Sequence, residues 1–483
     1  MLKEQYLEAL PVAPLKIIAM DNCTELGNQI DSGIVGFRKQ FAKEHELLSG
    51  ISGYVCDSYK AGYHMDAIFT GERQAVIEES IRGTDLFIIT DVVKLYISYE
   101  SNGRKVFKTP DEHFQDLKRI ISACHGSAKR INLIMPYLYQ GRFTTRRNLE
   151  SLDCAIALKD MIRMGISNII TFDAHEPRIQ NAIPIQGIDN FPTSFQFLEA
   201  IINGNEGLSF DKNSLLIVSP DIGGMGRVVF YSSILGVDMG MFYIRKDYST
   251  NVNGEHPVVA VEFLGDDIAG KDVIIVDDII ESGTSIINTA RELKKRGAGR
   301  VIVAATFGLF TDGLENFDKA YEEGLFQRIY ITNLTYCSDE LKKKEYYRMV
   351  NMSNQIAELI MALRLKSLPT SQVLLIICLA NNLLYIIKCI LNMPYGIIRI
   401  YCNDIEPAWR IFFISVIRAI FKRRMAYFSL LSYIYRFGRV SKIHGTAVFY
   451  FKKNKNRRFM GNYIYLSKTT VIISFENIIT MFC

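Results

Sequence analysis

The sequence predicts an α/β fold in which mainly parallel sheets are flanked by helices. Between residues 15 and 364, apolar runs of four to six residues alternate with segments in which apolar residues recur at helical spacing. Near-continuous apolar runs are typical of parallel strands whose two faces are both covered. The same rhythm occurs twice, at about 10–185 and 186–364, so we predict two tandem domains of one class, 1–185 and 186–364, although no clear internal repeat is visible.

Each element of this prediction rests on its own segment of sequence. The predicted strands are Lys16–Met20, Leu86–Thr90, Ile131–Met135, Asn168–Phe172, Leu215–Val218, Met239–Ile244, Val273–Val276 and Val301–Thr306. The predicted helices are His113–Cys124, Glu150–Met164, Thr193–Ile202 and Gly283–Arg296.

The segment from Leu365 to the end differs sharply from the rest of the chain. It contains 17 Lys and Arg but three acidic residues, a formal charge of +14, whereas residues 1–364 carry a net charge of −9. We therefore treat 365–483 as a basic, apolar tail, and we favour a frame-shifted or read-through origin for it. The alternative is membrane attachment through Val373–Asn392, which is disfavoured because Lys388 interrupts the apolar run.

Cysteine spacing and the first residues suggest a compartment. The nine cysteines form no Cys-x-x-Cys pair or zinc spacing, so we expect buried free thiols. Residues 1–15 include Lys3, Glu4 and Glu8 and lack the apolar core of a signal peptide. We expect a cytoplasmic protein, with no nucleic-acid partner.

The most informative motif is Val276-Asp-Asp-Ile-Ile-Glu-Ser-Gly-Thr-Ser285, which follows an apolar strand and precedes a helical pattern. Two adjacent carboxylates, Asp277 and Asp278, suit the paired hydroxyls of a sugar. The loop after them lies at a helix N-terminus, where backbone N–H groups and the helix dipole favour a phosphate. The alternative is a purely structural role, in which the acids end a strand and the Ser and Thr residues cap a helix. The order of elements favours a pocket for a phosphorylated ribose.

This motif resembles the phosphoribosyl-diphosphate (PRPP) signature of type I phosphoribosyltransferases and of ribose-phosphate diphosphokinases. The resemblance implies two phosphoribosyltransferase-like domains, with Asp277 and Asp278 holding the ribose hydroxyls. The loop that it implies for the 5-phosphate consists of Glu281, Ser282, Gly283, Thr284 and Ser285. The pair Gly223–Gly224, in Ser-Pro-Asp-Ile-Gly-Gly, would let backbone N–H groups approach a phosphate or the anomeric end of the ribose.

Segments in the first half resemble the ATP side of the diphosphokinases. Pro136-Tyr-Leu-Tyr-Gln-Gly-Arg142 is similar to their ATP loop, which implies that Arg142 contacts ATP, although Phe143 and Thr144 replace the usual polar pair. Asp173-Ala-His175, with Gln180, is similar to their Asp-x-His segment. The resemblance implies that His175 contributes to the magnesium and ATP site, assisted by Asp173 and a second acid, Asp221. Glu72 matches an acid near the nucleotide.

This chain departs from the diphosphokinase pattern at the position of the catalytic cation. The diphosphokinases carry a catalytic Lys followed by Arg at a strand end, but matching places Ile244 at the Lys position, with Arg245 and Lys246 next. We expect Arg245, Lys246 and Arg142 to be the catalytic cations, while noting that Arg does not simply replace Lys.

The resemblance implies a ribose-phosphate diphosphokinase that uses Mg²⁺ and transfers the diphosphoryl group of ATP to O1 of ribose 5-phosphate, giving PRPP and AMP for nucleotide biosynthesis. It also implies a homo-oligomer, a dimer or a hexamer. Two alternatives stay open. A regulatory homologue would retain the fold but lack catalytic cations, which Ile244, Phe143 and Thr144 favour, and a PRPP-dependent transferase would need a base-binding hood that is not evident.

Overall fold

The computed structural model describes residues 12–364, apart from 45–47, 49, 52, 69, 95–96, 102–103, 125, 147 and 247–257, together with 438–443, 446–451 and 472–473. Two mainly parallel sheets with flanking helices lie in one compact unit, residues 9–382, so the predicted α/β fold with two similar domains is confirmed.

The first sheet has five parallel strands in the order β1-β4-β7-β8-β9. Its strands are β1 (Leu15–Ala19), β4 (Asp85–Ile89), β7 (Arg130–Ile134), β8 (Ile166–Phe172) and β9 (Asp189–Phe191). Two antiparallel hairpins stand apart from it, β2 (Tyr63–Ala67) with β3 (Arg73–Ile77) and β5 (Ser98–Ser101) with β6 (Arg104–Phe107). Since β9 belongs to this sheet, the first sheet extends beyond residue 185.

The second sheet has seven strands in the order β12-β11-β10-β13-β14-β15-β16. They are β10 (Leu215–Ser219), β11 (Asp238–Lys246), β12 (Val258–Gly265), β13 (Asp272–Ile280), β14 (Val301–Gly308), β15 (Arg328–Thr332) and β16 (Tyr347–Val350). The edge strand β12 is antiparallel to its neighbour and the other pairs are parallel. Every residue of β10 and β14 is buried, because helices cover both faces.

Helices cover the sheets, and the four predicted ones begin and end within three residues of helices in the structure. The described helices are α1 (Thr24–Glu44), α2 (Pro110–Ala123), α3 (Asp153–Arg163), α4 (Ser194–Gly204), α5 (Met225–Leu235), α6 (Thr284–Lys295), α7 (Glu315–Glu322), α8 (Asp339–Lys342) and α9 (Ser353–Leu363), with 3₁₀ segments Asp21–Cys23 and Pro177–Ala182. Local sequence sets some boundaries directly. Thr109 and Glu112 form a capping box around Pro110 at the start of α2.

Helix α9, the last helix that the structure describes in this unit, packs against the first half. At the contact between α9 and α1, a Cβ on Gly33 would lie 3.2 Å from the Cβ of Ala357, so a small residue is needed there. The fully buried Asp85 accepts two hydrogen bonds from Arg130, at 2.8 and 2.7 Å. Arg130 also donates to the carbonyl of Leu363 at the end of α9. The end of the second half is therefore held against the first half.

The tail lies largely outside the described residues, including the Val373–Asn392 run. Three short antiparallel strands are described there, β17 (Gly438–Ile443), β18 (Thr446–Phe451) and β19 (Ile472–Ile473), in a unit separate from 9–382. In the part of the chain that the structure describes, no helix is long and apolar enough to cross a membrane. Five cysteines lie among the described residues, all of them before residue 365, and they are free thiols.

Candidate active site

Asp277 and Asp278 lie within the central strand β13 rather than after it. The strand continues to Ile280, and Asp277 and Ile279 pair with Ala305 and Phe307 of β14. Sequence reasoning ended the strand at the acids because carboxylates are uncommon inside strands. Their position on β13 places them near the carboxyl end of the sheet, where open α/β sheets bind ligands.

Asp278 is the buried centre of a contact between the two halves. Its Oδ2 lies 2.7 Å from Nδ1 of His175, which follows β8 of the first sheet, and 3.0 Å from a guanidinium nitrogen of Arg227, which lies on α5. The Asp278 side chain is 6% exposed. Burial by itself would raise the pKa of Asp278, but the hydrogen bond from His175 and the charge of Arg227 lower it below its usual range.

The neighbouring groups respond to the ionised Asp278. Burial, and then the Asp278 charge, raise the pKa of Asp277 to about 8, so this carboxyl group retains its proton at neutral pH. The hydrogen bond to Asp278 raises the pKa of His175, which favours the imidazolium. Oδ1 of Asp277 accepts a hydrogen bond from the backbone N–H of Asp278 at 2.9 Å. The pKa values of these two adjacent carboxyl groups are therefore shifted in opposite directions.

We call residues Asp277–Ser285, which are the end of β13 and the turn after it, the ribose loop. The turn depends on Gly283. This residue has φ +82° and immediately precedes α6, and a Cβ placed on it would overlap the ring of the buried Phe317. Only glycine satisfies both conditions without strain. The hydroxyls of Ser282 and Thr284 lie 3.1 Å apart on either side of the turn. The predicted phosphate loop therefore has a strictly constrained backbone at a helix N-terminus.

A second constrained turn follows β10. Asp221 is exposed, and its Oδ1 accepts from the backbone N–H of Gly224 at 3.3 Å. A Cβ on Gly224 would overlap the hydroxyl of the buried Ser219. The turn leads directly into α5, whose single charged residue is Arg227. Sequence reasoning missed Arg227, although a lone Arg in an apolar helix after this turn is a usable signal.

The predicted ATP loop contacts the ribose loop. A guanidinium nitrogen of Arg142 lies 2.5 Å from Oε2 of Glu281, and both side chains are partly exposed, at 42% and 49%. We call residues Pro136–Phe143 the Arg142 loop. It turns through Gln140, with φ +52°, and closes with a hydrogen bond from Gly141 N to Leu138 O at 2.9 Å. Phe143, which follows Arg142, is 68% exposed.

Asp173 occupies a different environment from the other predicted metal residues. It has φ +38°, and its Oδ2 accepts from the hydroxyl of Thr193 and, at 2.7 Å, from the hydroxyl of Thr306. Thr306 lies on β14, so this carboxylate also joins the two halves, a role that sequence reasoning did not anticipate. The prediction that it assists a metal ion stays a prediction.

The remaining predicted residues are not joined to this cluster by a described contact. Glu72 lies in the exposed turn before β3, and its carboxylate accepts from the hydroxyl of Thr70 at 2.9 Å. Arg245 and Lys246 end β11, where the pairing register with β12 shifts between them, and their side chains lie outside the described residues.

His175 and Asp221 suit a magnesium ion only in combination with substrate. Within the described residues, no three His, Cys, Asp or Glu side chains form a metal cluster. Magnesium is commonly held by one or two protein groups together with substrate phosphates and water. The exposed carboxylate of Asp221 is a donor of the kind that this ion prefers, and it fits a metal that arrives with ATP. His175 fits only as the neutral imidazole, through Nε2.

Comparison with known proteins shows the same two halves. Residues 15–165 match the N-terminal domain of ribose phosphate pyrophosphokinase, and residues 191–327 match the phosphoribosyl transferase domain. The ribose-phosphate pyrophosphokinase of Corynebacterium efficiens is 31% identical over 243 residues, which are 50% of this chain and 68% of the relative. The chain belongs to the ribose-phosphate pyrophosphokinase family.

Other members of the ribose-phosphate pyrophosphokinase family give a consistent result. The enzyme of Prochlorococcus marinus is 28% identical over 267 residues, which cover 54% of this chain and 71% of the relative. The fold matches the crystal structure of phosphoribosylpyrophosphate synthetase from Mycobacterium smegmatis with a TM-score of 0.52 and 21% identity, over 72% of this chain and 98% of that chain. The predicted family resemblance is confirmed.

Proposed function

We propose that the protein is an active ribose-phosphate diphosphokinase. The O1 hydroxyl of ribose 5-phosphate attacks the β-phosphorus of ATP, and the bond from that phosphorus to the oxygen bridging to the α-phosphorus breaks. AMP leaves, the hydroxyl proton is lost, and the diphosphoryl group remains on O1 as PRPP. The supporting observation is that two first-half residues matched to the ATP side, His175 and Arg142, contact the ribose loop of the second half. A PRPP-consuming transferase has no need of that junction.

Binding of ribose 5-phosphate follows from the chemistry of the ribose loop. The 5-phosphate of the substrate would accept hydrogen bonds from backbone N–H groups and hydroxyls of Ser282–Ser285 at the N-terminus of α6. The protonated Asp277 can donate to one ribose hydroxyl and accept from another. His175 and Arg227 both contact Oδ2 of Asp278, so in this proposal the carboxylate fixes those two side chains through Oδ2 and can accept from a ribose hydroxyl through Oδ1.

Transfer of the diphosphoryl group requires alignment and charge stabilisation rather than covalent help from the protein. Arg142 would contact the ATP phosphates, while Arg245 and Lys246 would supply the cation that other diphosphokinases take from a Lys at the position of Ile244. Magnesium, held by Asp221, by the ATP phosphates and by Nε2 of His175 when the imidazole is neutral, would neutralise charge on the diphosphoryl group. The expected oligomer, a dimer or hexamer, also remains a proposal.

The direct test is to incubate the full chain with ribose 5-phosphate and magnesium ATP and to follow AMP and PRPP by chromatography and ³¹P NMR. We expect AMP and PRPP in equal amounts, and no AMP without ribose 5-phosphate. Binding of ribose 5-phosphate by calorimetry without any AMP formation would refute the enzyme and support the regulatory homologue that Ile244 favours.

Variants then test the catalytic cations. Arg245→Ala and Lys246→Ala should each lower kcat by about 10²-fold or more, the typical effect of removing one group that stabilises transition-state charge. Lys295→Ala is the matched control, because it removes an exposed cation of the same half that pairs only locally with Glu292. Equal kcat for all three variants would exclude Arg245 and Lys246 from catalysis.

A further inference from the structure

The contact between Arg142 and Glu281 joins residues 139 positions apart and links the Arg142 loop to the ribose loop. Glu281 was predicted to surround the 5-phosphate, but its carboxylate instead faces a guanidinium 2.5 Å away. A carboxylate can only accept hydrogen bonds, and a phosphate dianion offers none to accept. The side chain of Glu281 is therefore ill suited to contact the phosphate directly.

The negative charge of Glu281 is a second reason why its side chain does not suit the phosphate. A carboxylate next to an anion-binding turn repels the anion unless a cation neutralises it. The adjacent residues Ser282–Ser285 already provide hydroxyls and a helix N-terminus for the phosphate. Arg142 provides the neutralising cation for Glu281, so the pair leaves the phosphate turn without net negative charge.

Arg142 also needs Glu281. The backbone of the Arg142 loop is closed by its own turn, but the Arg142 side chain is long and 42% exposed, so the loop alone does not set the direction of the guanidinium. A guanidinium has five N–H donors, and one carboxylate leaves several of them available for phosphate oxygens. An ion pair this exposed is weak and is readily exchanged for a stronger charge-assisted contact.

We propose that Glu281 is a positioning residue that holds Arg142 at the ribose loop until the ATP polyphosphate takes over the guanidinium, and that it does not bind ribose 5-phosphate. This inference rests on the proposed diphosphokinase reaction. It gives opposite effects for the two substrates. Removing the Glu281 charge leaves ribose 5-phosphate binding unchanged or tighter, because a neighbouring negative charge is lost, and weakens ATP binding, because Arg142 is no longer oriented.

The test compares Glu281→Gln with Glu323→Gln. Glu323 pairs with Arg291 in the same half, and the exposures of that pair, 41% and 53%, match those of Arg142 and Glu281. Calorimetry with ribose 5-phosphate alone should give Glu281→Gln a dissociation constant equal to or below that of the wild type. Magnesium α,β-methylene-ATP, in which the bond to be broken is blocked, should bind up to about fivefold more weakly, the range expected for losing one exposed charge contact.

Each outcome of these measurements either supports or overturns the proposal. Weaker binding of ribose 5-phosphate by Glu281→Gln would make Glu281 a direct ligand and overturn the proposal. Unchanged binding of the ATP analogue, as in Glu323→Gln, would also overturn it. A rise in the KM for ATP with an unchanged KM for ribose 5-phosphate would support it, as would rescue by Glu281→Asp. If the wild type forms no AMP, the proposed function fails, but the two binding measurements still test Glu281.

Discussion

The ribose loop and the Arg142 loop both follow parallel strands, yet they are built differently. The ribose loop is held from inside: Asp278 is buried against two cations, and Gly283 lies against the ring of Phe317. The Arg142 loop ends in exposed side chains whose described partner at the site is the exposed Glu281. The comparison teaches that the sugar-phosphate side is preformed. On the nucleotide side the loop is anchored by the buried Tyr137 and Leu138, but the Arg142 guanidinium is held by a contact that a substrate can replace.

The largest expected effect concerns the preformed turn. Gly283→Ala should destabilise the protein by about 3 kcal/mol, since a left-handed alanine costs about 1–2 kcal/mol and overpacking about 1–3. Gly313→Ala separates the two causes, because Gly313 has φ +80° but no atom within 3.6 Å of a new Cβ. Urea unfolding should show a loss for Gly313→Ala about half as large. Equal losses would mean that Phe317 does not constrain the turn.

Next in size is the buried carboxylate. Asp278→Asn should cost about 2 kcal/mol at pH 7, less than the 3–5 expected when a fully buried pair is broken, because His175 remains partly exposed to water. The lowered pKa of Asp278 means that its contribution is present above pH 4 and is lost as the pH falls through the lower folded value. NMR should also show a decrease in the pKa of His175. If the pKa of His175 does not change in this variant, the contact with Asp278 does not determine the ionisation of the imidazole.

A smaller effect appears in the pH dependence of stability. The pKa of Asp277 is raised to about 8, so its stabilising contribution is complete below pH 4 and is lost as the pH rises to about 8. Asp277→Asn should therefore reduce the loss of unfolding free energy between pH 6 and pH 8 by at least about 1 kcal/mol.

Asp189→Asn is the control for this measurement. Burial raises the pKa of Asp189 to about 6, so its contribution is lost mainly between pH 4 and pH 6. It should change the loss of unfolding free energy between pH 6 and pH 8 by less than about 0.5 kcal/mol. If both variants change the slope in the same pH range, the assignment of the upper range to Asp277 is wrong.

The smallest effect is expected for the exchangeable contact. A double-mutant cycle with Arg142→Ala and Glu281→Gln should give a coupling in stability of about 0.2–1 kcal/mol that decreases in high salt. Unfolding in urea at two salt concentrations measures it. A coupling of several kcal/mol that salt does not change would make this pair structural, and the contrast between the two loops would disappear.

Much of the fold followed from local patterns. The apolar runs at Leu215–Val218 and Val301–Thr306 are buried strands of a parallel sheet, because fully covered strands need apolar residues on both faces. The helix after the ribose loop begins within one residue of its predicted start. The end of β13 was misjudged, since pairing with β14 extends a strand past residues that disfavour it locally.

The sequence by itself determined the parallel α/β halves and the ribose loop, because apolar periodicity, adjacent carboxylates and a Ser-Gly-Thr-Ser turn are properties of neighbouring residues. Only the tertiary structure decided that Asp278 pairs with His175 and Arg227, that Asp173 pairs with Thr193 and Thr306, and that Glu281 pairs with Arg142. Several of these partners are more than 100 positions apart, and they meet because the two halves pack together, which no local pattern encodes.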